Sequence, residues 1–179
     1  MDYQTINAFW FNEIKPRQWF TKDIAFDQLI RTRFQAAHDA ASRGELYPWR
    51  DTAEGRLAEI IVLDQFSRNI YRDTPLAFAY DALALILAQE AIRANVYKSL
   101  GSQQRAFLYM PFMHSESVLI HRRAVELFSE PGLEGNLEFE LKHKAIIDRF
   151  GRYPHRNAVL GRTSSPEETV FLKQPGSSF

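Results

Sequence analysis

The sequence predicts an all-α protein, and three observations lead there. Apolar residues recur every three or four positions in each long segment, the period of a helix with one buried side. Start and stop signals agree with that period: Ser165–Pro166–Glu167–Glu168 is a capping box with proline in the first turn, and Gly44 and Gly151 stand where apolar stripes end. Nowhere does strand-like alternation meet a hairpin turn. Together these predict seven to nine helices in antiparallel pairs, forming one domain over residues 1–179.

Residues 5–20 hold Phe9, Trp10, Phe11, Trp19 and Phe20 with Pro16 between, which reads as a short helix, a turn and a second entry. The aromatics would clamp the first helices or, alternatively, offer a ring-stacking platform. In 23–41, Phe26, Ile30, Phe34 and Ala37 form a one-sided apolar stripe with Leu29 alongside. Asp51 and Glu54 then have capping-box spacing ahead of the central stretch, Arg56–Arg72. Its apolar side starts with Leu57, Ile60 and Ile61 and continues into Asp64, Gln65, Arg68 and Arg72. A stripe that begins as core and ends as charge either emerges into solvent or lines a polar cavity.

Thr74–Pro75 is a strong helix start. The only charge from there to Ala88 is Asp81, so this helix is expected to be buried on most sides, with Asp81 paired to Arg68 or Arg72. After Gly101, residues 103–128 form a long helical segment that Pro111 should kink or split. On an ideal helix Phe112, Leu119, Ile120 and Leu127 share a side from which Glu116 projects, while His114 faces Val118 and Val125. A turn at 130–136 precedes a helix carrying Leu141, Ala145, Ile146, Ile147 and Phe150. A Pro-led turn from Pro154 to Leu160 ends at Gly161.

Composition removes several functions. Lys plus Arg equals Asp plus Glu at 22 each, and zero net charge argues against a dedicated nucleic-acid binder. There is no Cys, so disulfides, thiol catalysis and Cys-ligated zinc are absent. MDYQTINAFWF lacks the basic start of a secretory signal, and no uncharged apolar run approaches the ~20 residues that span a bilayer. No membrane partner is therefore expected, and the cytoplasm is the expected compartment. No HExxH, phosphate-loop glycine motif or GxSxG elbow occurs, so neither a metal nor a cofactor is implied. A zinc site would need His114, His143 or His155 gathered from distant segments.

Charge is unevenly placed. Residues 126–140 hold five Glu, whereas 142–162 hold Lys142, Lys144, Arg149, Arg152, Arg156 and Arg162 against Asp148 alone. The basic block is a solvated face or, with Phe150, Tyr153 and His155 interleaved, an anion-contacting turn.

At LDQFSRN (63–69), FLYMPFMHSE (107–116), RFGRYPHRNAVLGR (149–162) and the closing PGSSF, the chain resembles DUF924, a bacterial family of unknown function. The resemblance runs from Phe9–Trp10–Phe11 to the end. It implies an all-helical, tetratricopeptide-like right-handed superhelix and no established activity, although the chain matches no tetratricopeptide consensus and shows no internal repeat. The family pattern has proline where Ser67 stands and Gln where His121 stands.

What remains is a set of polar residues in apolar surroundings: Asp64, Gln65, Arg68, Asn69, Arg72, Asp81, His155, Arg156 and Asn157, with Glu116 and His114 as candidates for acid–base work. They would bind a small anionic molecule or a peptide carboxylate through paired guanidiniums, with Arg72 keeping spare donors. Alternatively, Glu116, raised in pKa by burial, or a histidine would turn that anion over, or the cluster is a structural ion-pair network. Oligomeric state is not legible.

Overall fold

A computed structural model describes residues 1–178; the final phenylalanine of the PGSSF motif lies outside the described residues. The fold is all-helical, with no strand among the described residues. The α-helices in order are α1 (Tyr3–Ala8), α2 (Ile24–Ser42), α3 (Ala53–Ile61), α4 (Ser67–Ile70), α5 (Asp81–Arg93), α6 (Ser102–Met113), α7 (Val118–Phe128), α8 (Glu134–Phe150) and α9 (Pro166–Phe171).

α3 is the hub, packing against α1, α5 and α6. Its Leu57, Ala58, Ile60 and Ile61 are fully buried. Phe9 and Trp10 supply the aromatic clamp: Phe9 lies tilted against Phe34 at 4.7 Å, and Trp10 meets Phe66 and Phe107 edge-on at 5.5 Å, while Phe20 stays exposed. The stripe on α2 is buried through Phe26, Ile30, Phe34 and Ala37. Consecutive helices α5 to α8 pack on one another in turn. A second, smaller apolar cluster gathers Ile146, Ile147 and Tyr153, with Val118, Phe150 and Phe171 against them.

Four expectations about boundaries are corrected. The cap of α3 is Thr52, whose hydroxyl accepts from the Gly55 N–H at 3.0 Å, one residue later than Asp51. Next, the Arg56–Arg72 helix is not uniform: between α3 and α4 the residues Val62–Phe66 wind as a π-turn. The Thr74–Ala88 helix is two pieces, a 3-10 turn at Pro75–Ala77 and then α5, so Asp81 opens a helix instead of sitting within one. It is not buried on most sides either, since Leu76 and Ile86 are exposed. The 19 residues Pro75–Arg93 are long and apolar enough, at a mean hydropathy of 1.4, to pass as a membrane span by length and composition, with 28% of the window buried.

The 103–128 segment is split in two, but not at Pro111. That proline stays inside α6, and the break comes at His114–Ser117, before α7 begins. The ideal-helix geometry assumed for His114 and Glu116 therefore does not apply, because both lie in the α6–α7 corner.

Candidate functional site

The π-turn presents Asp64 and Gln65 to the face where α5, the α6–α7 corner and the 3-10 turn Pro154–Arg156 meet. Asp64 is 0% exposed. Its Oδ1 lies 2.7 Å from His114 Nδ1 and 3.3 Å from Arg68 Nη1, and its Oδ2 accepts from Gln65 Nε2 at 2.6 Å. Four residues on, Arg68 reaches across to the first residue of α5 and donates both Nη groups to Asp81, at 2.9 and 3.0 Å. It also donates to the Asp64 carbonyl at 2.6 Å. This is the fork-to-fork geometry that makes Arg–carboxylate pairs strong.

Asp81 is shared. Arg156 Nη1 donates to its Oδ2 at 3.1 Å, while Arg156 Nη2 donates to the His114 carbonyl at 3.1 Å. The guanidinium lies between the rings of Phe78 and Tyr153, 4.5 and 4.7 Å from their centroids. A planar cation clamped between two π faces is held without using up its N–H groups. Arg156 is 6% exposed, and its Nε has no hydrogen-bond partner.

Glu116 closes a second knot. It accepts from the Tyr153 N–H at 2.7 Å and from Arg162 at 2.6 and 2.9 Å. Arg162 Nε also donates to Asn157 Oδ1 at 2.9 Å, and Asn157 Nδ2 donates to Ser164 at 3.1 Å. The residues after α8 are therefore folded back onto the α6–α7 corner by polar contacts. A third pair lies behind: His121 Nδ1 sits 2.7 Å from Glu140, and its Nε2 is 2.8 Å from the Ser115 carbonyl.

Electrostatics assign protonation states. Burial pushes the Asp64 carboxyl up, but the His114 contact and the Arg68 charge more than offset it and hold Asp64 ionised, below its ordinary range. His114 is pushed down by burial and by Arg68, with Asp64 opposing, so it is neutral. Burial, then Arg156, pushes His155 down to about 4. Glu116 overturns the expectation of a raised acid. Burial does raise it, but Arg162 and the Tyr153 N–H bring it below the ordinary carboxylate value, so it is a fixed anion.

The structure thus brings together Asp64, Gln65, Arg68, Asp81, His114 and Arg156, with Glu116, Asn157 and the half-buried His155 adjoining through the last turns. Asn69 and Arg72 go elsewhere. Both bond Asp27 on α2, Asn69 Nδ2 at 2.8 Å and Arg72 through Nε and, at 2.7 Å, Nη2. Arg72 is therefore engaged by an acid that the sequence reading left unassigned. His114 turns to Asp64 instead of Val118 and Val125. Phe78 was missed as a site residue, whereas the sequence places Arg162 and Tyr153 only in the basic block and its interleaved aromatics, not as partners of Glu116 and Arg156. Among the described residues no group of three His, Asp or Glu could hold a metal ion. Two surface grooves lie away from this network, one along α7 and α8 at Arg122, Leu141 and Lys144, the other beside α1 at Tyr3, Asn7 and Gln104.

The comparisons bear on this arrangement only through the fold. No curated protein matches the chain. A solved structure from Agrobacterium tumefaciens, titled as a protein of unknown function, ATU0120, is similar at 41% identity over 96% of each chain, with a TM-score of 0.91. The family described as "Bacterial protein of unknown function (DUF924)" matches residues 6–176. A match across nearly the whole length, carried by a helical scaffold that converges its charged motifs on one corner, means that the chain belongs to the DUF924 family.

Proposed function

We propose that the chain binds a small anionic molecule or a peptide carboxylate at the partly open side of the Arg68–Arg156 cluster. One observation carries this reading. Arg156 is almost fully buried yet spends its hydrogen bonds on one carboxylate and one carbonyl, leaving Nε without a partner. A buried donor left unmade costs about 1–3 kcal/mol, a cost removed by an acceptor that enters as the cluster opens, since Nε itself is closed to solvent. Asp81 and His114, each with a side chain 17% exposed, flank the way in.

The charge count tempers the affinity to be expected. Arg68, Arg156 and Arg162 are matched by Asp64, Asp81 and Glu116, so the site attracts an anion through directed donors and not through net charge. The serial packing of α5 to α8 is in keeping with the superhelical arrangement that the family resemblance implies, a shape that suits peptide ligands.

The test is thermal denaturation against phosphate, citrate and short peptides with a free C-terminus. A ligand at 100 times its dissociation constant adds about 2.7 kcal/mol of stability. Arg156→Met should abolish that gain. If no anion stabilises the parent chain, the cluster is a structural ion-pair network and the reading fails.

A further inference from the structure

We propose that His114, oriented by Asp64, is the proton-accepting group of this site, acting on a small acid that carries a hydroxyl beside its anionic group. The proposal rests on the anion-site reading for its ligand class, but its chemistry comes from a separate set of contacts.

The tautomer follows from geometry. Asp64 is wholly buried, contacts Arg68 and lies 2.7 Å from His114 Nδ1. The Gln65 amide donates to its other oxygen, so the carboxylate is surrounded by donors and is unprotonated. The hydrogen in the short contact must then belong to the ring. His114 Nδ1 is N–H, and Nε2 carries the lone pair. No described residue hydrogen-bonds that Nε2, and the side chain is 17% exposed, so the lone pair is left without a protein partner.

A carboxylate that fixes a histidine tautomer and steadies the imidazolium formed on proton uptake is the positioning half of many acid–base sites. Here the same Asp64 oxygen that holds the ring also touches Arg68, and Arg156 donates to the His114 carbonyl. The base and the two guanidiniums are thus built as one rigid unit. The step requires an anion held at the guanidiniums beside Asp81 whose neighbouring hydroxyl reaches Nε2. In the step, the hydroxyl O–H breaks, an N–H forms on Nε2, and the electron pair stays on oxygen. The new positive charge on the ring faces Asp64. Charges from Arg68, Asp81 and Asp64 act on the ring, as does the neighbouring His143 were it protonated.

The other four histidines offer an internal control. His38 and His121 are fully buried, His143 is nearly so, and His155 is half-buried. Diethyl pyrocarbonate acylates a bare imidazole nitrogen: an N–C bond forms, and ethyl carbonate leaves and decomposes to ethanol and carbon dioxide. Peptide mass mapping on the intact chain should place the first modification at His114. Its rate should exceed those of His38 and His121 by at least about tenfold, because buried rings react only through local opening. Nitrogen-15 spectra of histidine-labelled protein at pH 7 should show His114 protonated at Nδ1 and bare at Nε2. Asp64→Asn, if folded, should move the proton to Nε2 and slow the modification; the parent-chain measurements decide the matter if it does not fold. A His114 that reacts no faster than the buried rings, or that carries its proton on Nε2, overturns the proposal. Phosphate and glycolate separate the two readings. Protection of His114 by either supports both, whereas rapid modification that neither anion slows keeps the base and removes the anion site.

Discussion

Replacing Asp81 with Leu should be among the most damaging single changes to this fold. The carboxylate accepts three hydrogen bonds from two guanidiniums, at 2.9, 3.0 and 3.1 Å. Losing it strands the two cations unequally. Arg68 keeps Asp64 through the carbonyl at 2.6 Å and Oδ1 at 3.3 Å. Arg156 keeps only the His114 carbonyl and the flanking rings. Breaking one buried pair costs about 3–5 kcal/mol, chiefly because the surviving charge stays desolvated. The negative charge at the first position of α5 is lost as well, for about 0.3–1 kcal/mol. At roughly 2–4 °C per kcal/mol for a chain of this size, the melting temperature should fall by about 7–24 °C. Circular dichroism at 222 nm during heating measures it. The double variant Asp81→Leu/Arg156→Met should recover part of the loss, with a coupling of about 1–3 kcal/mol. A loss under about 1 kcal/mol for Asp81→Leu, or strict additivity in the double variant, would refute the view that Asp81 is the shared counter-ion of the buried Arg156 and the half-buried Arg68.

Other expectations follow from the same contacts. Arg72→Met removes a pair with Asp27 whose side chains are 26% and 13% exposed, so it should cost about 1–3 kcal/mol in urea titration and leave any anion-induced stabilisation intact. Gly55→Ala should be severe, since an added Cβ would stand 2.0 Å from the Trp49 carbonyl oxygen; a melting temperature within about 2 °C of the parent would contradict this packing. Acid should weaken the fold in stages. Burial holds His143 down to about 3 and His155 to about 4, so the unfolded chain, protonating near 6.5, binds more protons through that window. Stability should therefore fall as pH drops from about 6.5 toward 3. Asp64, whose pKa is depressed, adds a further loss below the ordinary carboxylate value. Urea midpoints at pH 7, 5.5 and 4.5 should decline in that order, and His143→Phe should flatten the decline.

The helical class was legible because periodicity and capping chemistry are local properties. Ser165 indeed accepts from Glu168 N–H, as its capping box requires. Boundaries were less so, and each miss has a physical cause. Pro111 is tolerated inside α6, and the helix runs on to Met113. Asp51 lost the cap to Thr52 because both can accept from the first turn and only tertiary placement chooses between them. At the site, Arg68 and Asp81 were recoverable from the cost of burying a lone carboxylate in an apolar stretch. The partners of Glu116 and Arg72 were not. Arg162 is 46 positions from Glu116, and Asp27 is 45 from Arg72, so no helical spacing links them. His114 was misaimed because the helix assumed to carry it ends one residue earlier.

The π-turn at Val62–Phe66 has a consequence for how this chain can vary in length. Each residue in an α-helix advances the winding by about 100°, so the wider turn gives α3 and α4 a fixed angular offset, like two keyed sections of one shaft. Ile60 and Ile61 point into the core while Arg68 points at Asp81 only because of that offset. Removing one residue from this segment would restore ordinary winding and leave the later side chains nearly in phase, because five residues of π-winding turn about as far as four of α; what it would cost is Asp64, Gln65 or a core side chain. A one-residue deletion inside the turn thus keeps Arg68 aimed at Asp81, whereas a one-residue insertion or deletion within α3 or α4 would turn it off by about 100°. The segment sets the phase between an apolar half-helix and a charged one.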